Sequence, residues 1–178
     1  NAIELVEFIP VFHRWIQDKA LAQTLIDAAD YSHVQEGPGI VLVAHEGNYS
    51  IDETGNRRGL VYYSKHEMPE ADLQGRLQKI CMNALAACSL IEQDSDIDGR
   101  MTFPGNELQV FANDRLRAPN TDETWSSLEP VINEFLGRLF DGKDYSLERE
   151  TDPAERFQVT VKAQEPVAVN TLLQRLSG

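Results

Sequence analysis

Three carboxylates at alternate positions, followed by a glycine, form the most chemically suggestive segment of the chain: Asp94, Asp96, Asp98 and Gly99. Oxygen-rich loops of this kind bind hard cations such as Ca²⁺. The spacing matches positions 1, 3, 5 and 6 of an EF-hand loop, but position 12, which needs a bidentate Glu, is Gly105. Two interpretations stay open: weak Ca²⁺ binding by the three aspartates, or an acidic turn after a long helix.

A second set of polar residues interrupts apolar segments or follows them directly. These candidate catalytic or ligand-binding residues are His13, His45, Glu46, Asp114 and Arg115. A histidine near a carboxylate can act as a general base, an arginine can hold an anion, and two histidines with a carboxylate can bind a transition metal. Alternatively, the histidines are hydrogen-bonded core residues and Asp114 forms an ordinary turn.

The two cysteines, Cys81 and Cys88, fall seven residues apart in one predicted helix. Two helical turns separate their Cα atoms by about 10 Å, which exceeds the reach of a disulfide. We therefore expect two buried thiols in a reducing compartment, with no catalytic role. The motifs of P-loops, dinucleotide-binding folds, serine-hydrolase elbows and zinc peptidases are absent from the sequence.

Composition is that of an ordinary globular domain, with 42% hydrophobic and 25% charged residues. The 178 residues predict one domain over 1–178, in which residues 1–2 read as the scar of a cleaved tag. A net charge of −13 argues against binding to nucleic acid or anionic lipid. No apolar run is long enough for a membrane span and no leader is visible, so we expect a cytoplasmic protein that needs no cofactor, with Ca²⁺ the one ion considered.

Hydrophobic periodicity predicts an alternation of strands and helices. The predicted strands are residues 3–16, 40–51, 60–64, 108–113 and 157–163, and the predicted helices are residues 17–31, 69–92, 120–140 and 170–176. Thr54–Asn56 predicts a hairpin turn between two of the strands. Pro10 is a conflict inside the first predicted strand, because proline cannot donate to a strand ladder.

This order predicts an α+β fold: a mostly antiparallel sheet with helices on one face, a ferredoxin-like (split βαβ) core, an extra αβ extension and a short C-terminal helix. The first predicted strand would then be central, although Pro10 favours an edge.

Several segments together resemble a group of bacterial hypothetical proteins of similar length. The segments are 6–17, 30–34, 37–52 and 113–116. The resemblance implies a bacterial cytosolic protein and transfers no catalytic residue. Our leading hypothesis is a non-catalytic binding or interaction domain, which could be a homodimer or bind a protein partner. The alternatives are a small enzyme or ligand-binding protein that uses the five candidates, and Ca²⁺ binding by the three aspartates.

Overall fold

The computed structural model describes residues 3–35, 37–53, 57–70 and 72–178. These residues form an α+β protein with four α-helices and two antiparallel sheets. The helices are α1 (Phe8–Asp18), α2 (Leu73–Gln93), α3 (Asp122–Leu139) and α4 (Val169–Ser177). The strands are β1 (Leu25–Tyr31), β2 (Gly39–Ala44), β3 (Gly47–Asp52), β4 (Gly59–Ser64), β5 (Glu107–Phe111), β6 (Tyr145–Arg149) and β7 (Gln158–Ala163).

The chain divides into two compact units. The first consists of Asn1–Ala71 and Lys79–Phe103, and the second of Asp72–Gln78 and Pro104–Gly178. The prediction of one domain over the whole length stays a prediction.

The first unit is built on a four-stranded sheet in the order β1-β2-β3-β4. Each strand pairs antiparallel with the strand next to it in sequence. In this register Leu42 lies opposite Tyr49, and Tyr49 lies opposite Tyr62. These side chains share one buried face of the sheet, and the core there includes residues of α1 and of the C-terminal half of α2. The predicted hairpin between β3 and β4 is confirmed by their pairing, although its tip, Thr54–Asn56, lies outside the described residues.

The segment predicted as the first strand is helical instead. A short 3₁₀ turn (Leu5–Glu7) leads into α1, whose residues Phe8, Val11, Phe12 and Trp15 are buried. Their spacing of three and four residues fits one face of a helix. Pro10 lies in the first turn of α1. The N–H groups of a first helical turn have no acceptor within the helix, so a proline there removes no intrahelical hydrogen bond. The strand prediction was wrong because it weighed aromatic and β-branched content above periodicity.

The segment predicted as the first helix contains the edge strand β1. The spacing of Leu21, Leu25 and Ala28 resembled a helical face, but α1 ends at Asp18 and β1 begins at Leu25. A bulge between Leu25 and Asp27 disturbs the two-residue alternation that would have marked a strand.

The strand predicted over residues 40–51 is two strands. Strand β2 is almost entirely buried, as its apolar run indicated, but it ends at Ala44. His45 and Glu46 form the tight connection to β3, since Val43 pairs with Asn48. The two candidate residues therefore lie in a turn and not within a buried strand.

The ferredoxin-like core is not confirmed. Because residues 3–16 are helical and residues 25–31 form a strand, the chain makes four consecutive strands before α2. Their meander order differs from the split βαβ arrangement, in which the first strand is central.

The second unit contains a three-stranded sheet in the order β5-β7-β6, together with α3 and α4. The alternation predicted for β7 is confirmed, because Phe157, Val159, Val161 and Ala163 are buried. Strand β6 was missed by the sequence analysis. Helix α3 continues through Pro130. None of the described helices is long and apolar enough to cross a membrane.

The N-cap of α3 is Thr121, whose side chain accepts a hydrogen bond from the backbone N–H of Thr124. Asn120, where the predicted helix starts, is buried and donates through Nδ2 to the carbonyl of Asp152 at 2.8 Å.

Candidate functional site

The most developed polar cluster of the first unit lies at the end of its sheet where β2 turns into β3. It comprises Gln23, His45, Glu46, Tyr62, His66 and Asn83, and we call it the turn-end cluster. His45 and Glu46 were candidates from the sequence, whereas the other four residues were not.

Tyr62 is the buried centre of this cluster. Gln23 Nε2 donates a hydrogen bond of 2.8 Å to Tyr62 Oη, and both residues are buried. Gly47 permits this position of the ring, because a Cβ at residue 47 would lie 2.6 Å from Tyr62 Oη. The Tyr62 ring also packs on Tyr49, with ring centroids 4.8 Å apart.

Burial dominates the acid–base behaviour of the two tyrosines. It raises the pKa of Tyr62, and the hydrogen bond from Gln23 opposes the rise only in part. Burial also raises the pKa of Tyr49, with smaller contributions from Tyr62 and from the negative charge of Glu46. Both phenols therefore stay neutral at physiological pH and do not act as bases.

Two polar atoms beside Tyr62 lack a partner at hydrogen-bonding distance: Gln23 Oε1 and Asn83 Nδ2. Buried polar atoms are nearly always paired with protein or ordered water. One acceptor and one donor beside a phenol can together receive a water molecule or a small polar group.

The Tyr62 hydroxyl should contribute measurably to stability. We expect Tyr62→Phe to lower the free energy of unfolding by about 1–3 kcal/mol, because the buried Gln23 amide would lose its hydrogen bond to Tyr62. The matched control is Tyr63→Phe, since Tyr63 Oη accepts a 3.1 Å bond from Asn48 in a half-buried setting. Urea denaturation of both variants measures the difference, and equal losses would contradict the central role of Tyr62.

The remaining candidates lie in different places. His13 is on the exposed face of α1 in the first unit, while Asp114 and Arg115 are exposed residues of the second unit. Asp114 Oδ1 accepts hydrogen bonds from the backbone N–H groups of Leu116 and Arg117, at 2.9 and 3.1 Å. This is the turn-forming role that the alternative interpretation assigned to Asp114.

The acidic loop after α2 is tied to α1 by an arginine. Arg14 Nη2 contacts both carboxylate oxygens of Asp94 at 2.8 and 2.7 Å, and Arg14 Nη1 contacts Asp96 at 2.8 Å. Asp94 Oδ1 also accepts a bond of 2.9 Å from the Asp96 backbone N–H. The Asp94 side chain is only 6% exposed, so the guanidinium supplies the positive charge that a cation would bring.

A second arginine connects the same loop to the start of the chain, because Arg100 Nη2 pairs with Glu7 Oε2 at 2.8 Å. Among the described residues, no group of three or more His, Cys, Asp or Glu side chains is arranged to hold a metal ion. Asp98 and Gly99 adopt positive φ angles of 47° and 70°, as a tight turn requires. The contacts of this loop therefore have a structural role, because they connect α1 and the segment before it to the end of α2.

Both cysteines are free thiols. Burial raises the pKa of the Cys81 thiol to about 12 and raises that of Cys88 as well. Both thiols therefore stay protonated at physiological pH. Cys88 is buried, as predicted, whereas Cys81 is half-buried.

No protein-family model, curated protein or solved structure matches this chain. The sequence signal that could have identified Tyr62 is its position in the strand predicted over residues 60–64. Leu60 and Tyr62 alternate on the core face of that strand, and a hydroxyl carried into a core requires a partner.

Proposed function

We propose that this protein is a non-catalytic binding domain that accepts an extended, basic and apolar segment of a protein partner along β1. The observation that carries the proposal is the exposure of large apolar side chains at this edge. Five large hydrophobic residues of the described chain are exposed, and three of them, Ile26 (54%), Tyr31 (44%) and Val34 (44%), lie in β1 or in the turn that follows it.

Strand β1 also has the backbone groups that such a partner needs. Among the described residues it pairs with β2 alone, and an edge strand presents backbone N–H and C=O groups to an added strand, although the Ala28 N–H already donates to Asp27 Oδ1 at 2.8 Å. In recognition by strand addition, these groups supply main-chain hydrogen bonds, while alternate side chains supply selectivity.

Charge indicates which kind of segment is accepted. Asp27 and Asp30 are exposed on β1, and Asp30 is held ionised because hydrogen bonds from Ser32 lower its pKa. A second copy of this acidic chain, at net charge −13, would bring like charges together at the edge. A segment with lysine or arginine between apolar residues would instead be attracted.

Two labelled ten-residue peptides test the proposal, one alternating Val with Lys and the other alternating Val with Glu. We expect saturable binding of the Val/Lys peptide in fluorescence anisotropy, weakened by salt, and no binding of the Val/Glu peptide. Asp27→Asn should weaken binding by about 0.5–1 kcal/mol, or about 2- to 5-fold in Kd.

The matched controls concern exposed apolar residues. Ile26→Ser should reduce binding, whereas Leu116→Ser, at a position 96% exposed in the second unit, should not. Equal effects of the two variants would contradict a site on β1. Concentration-dependent dimerisation that is lost in Ile26→Ser would show that a second copy is the occupant instead.

Small-molecule binding at the turn-end cluster is a second candidate function. It is favoured by the unpartnered Gln23 Oε1 and Asn83 Nδ2 beside Tyr62. A thermal-shift screen of small polar metabolites tests it, because a ligand of the native state raises the Tm by mass action. A shift that is retained in Tyr62→Phe would place the ligand elsewhere.

A further inference from the structure

Two exposed histidines lie side by side at the rim of the turn-end cluster. His45 occupies the β2–β3 turn and His66 lies two residues beyond β4, and their ring centroids are 5.9 Å apart at an interplanar angle of 48°. Both side chains are exposed, so that their ring nitrogens are accessible to solvent ions.

The backbone fixes the segments that carry these rings. The Lys65 N–H donates to the carbonyl of Glu46 at 2.9 Å, which ties the residue before His66 to the residue after His45. The His45 N–H donates to the carbonyl of Thr24 at 2.9 Å, and Ser64 Oγ donates to the carbonyl of His66 at 2.8 Å. The pair is therefore held close by the fold and does not depend on a mobile loop.

The separation suits two imidazoles that share one metal ion. A zinc–nitrogen bond of about 2.0–2.1 Å places the ring centre about 3.2 Å from the metal, so two rings at a tetrahedral angle have centres about 5.2 Å apart. The observed 5.9 Å exceeds this value by less than an ångström. Side-chain rotation of two exposed rings can close the difference without movement of the backbone.

We propose that His45 and His66 together bind a divalent transition-metal ion, with water completing the coordination. Neutral imidazole is a ligand for copper, nickel and zinc, and affinities for such ions rise from nickel to copper and fall again at zinc. The acidic chain and the adjacent carboxylate of Glu46 add attraction for a cation. Neither histidine belongs to β1, and the proposed metal site does not depend on strand addition there.

The chain of 178 residues, without an affinity tag and freed of metal by chelation, is titrated with Cu²⁺, Ni²⁺ and Zn²⁺ by calorimetry. We expect one ion per chain, with Cu²⁺ bound most tightly. His45→Ala and His66→Ala should each weaken Cu²⁺ binding by about tenfold or more, because loss of a residue that merely orients a ligand already costs that much.

The chain provides its own controls, since it has four histidines and the other two, His13 and His33, are exposed. His13→Ala and His33→Ala should leave binding unchanged. Affinity retained in His66→Ala, or lost equally in all four variants, would overturn the proposal. Circular dichroism confirms that each variant is folded, and paramagnetic broadening of histidine ring resonances by Cu²⁺ in the parent chain identifies the ligands directly.

Discussion

Gly39→Ala is expected to lower the free energy of unfolding of the first unit by about 2–5 kcal/mol. Gly39 begins β2 at a φ of +66°, and a Cβ there would lie 2.1 Å from the carbonyl oxygen of Ile51. The left-handed conformation costs an alanine about 1–2 kcal/mol, and relief of the overlap adds about 1–3 kcal/mol. The overlap falls on the strand that β2 pairs with, since Ile40 lies opposite Ile51.

The matched control for this prediction is Gly99→Ala. Gly99 has a φ of +70°, but a Cβ there would meet no atom within 4 Å. We expect a loss of about 1–2 kcal/mol, which is the backbone contribution alone. Urea unfolding followed by Trp15 fluorescence in a Trp125→Phe background reports on the first unit, and equal losses for the two glycines would refute the close contact with Ile51.

Phe12→Ala is expected to cost about 3–5 kcal/mol, because the Phe12 ring is fully buried in the core formed with the first sheet. Its neighbour Val11 is equally buried, and Val11→Ala should cost about 2 kcal/mol. His13→Ala, on the exposed face, should stay within about 0.5 kcal/mol.

This series distinguishes the two structures considered for the N-terminal segment. Adjacent residues can both face one core on a helix, whereas successive side chains of a strand point to opposite faces. A large loss for Phe12→Ala together with a negligible loss for Val11→Ala would favour the strand. The same fluorescence-monitored urea unfolding measures all three variants.

The sequence by itself determined the elements whose periodicity is strong and local. The recurrence of Leu73, Leu77, Ile80 and Ala84 marked α2, the apolar run of Ile40–Ala44 marked β2, and alternation marked β7. Each pattern is complete within the element itself, because burial of one face leaves its period in the residues of that element.

Residues 3–31 needed the tertiary structure. Phe8, Val11, Phe12 and Trp15 suit both a strand by composition and a helix by spacing, and packing on the sheet decided for the helix. Strand β1 had no clear local pattern, because an edge position and a bulge removed its alternation. Together these two misassignments changed the order of elements from which the fold was inferred.

The candidate site divides in the same way. The sequence singled out His45 and Glu46 because polar residues follow an apolar run, a feature visible along the chain. The other members of the cluster come from elsewhere in the chain: Tyr62 lies in β4, His66 in the segment after β4, and Gln23 in the loop before β1. Strand pairing brings together residues that are about 20 or more positions apart in the chain. The hydrophobic periodicity within one segment does not indicate which distant polar side chains will meet.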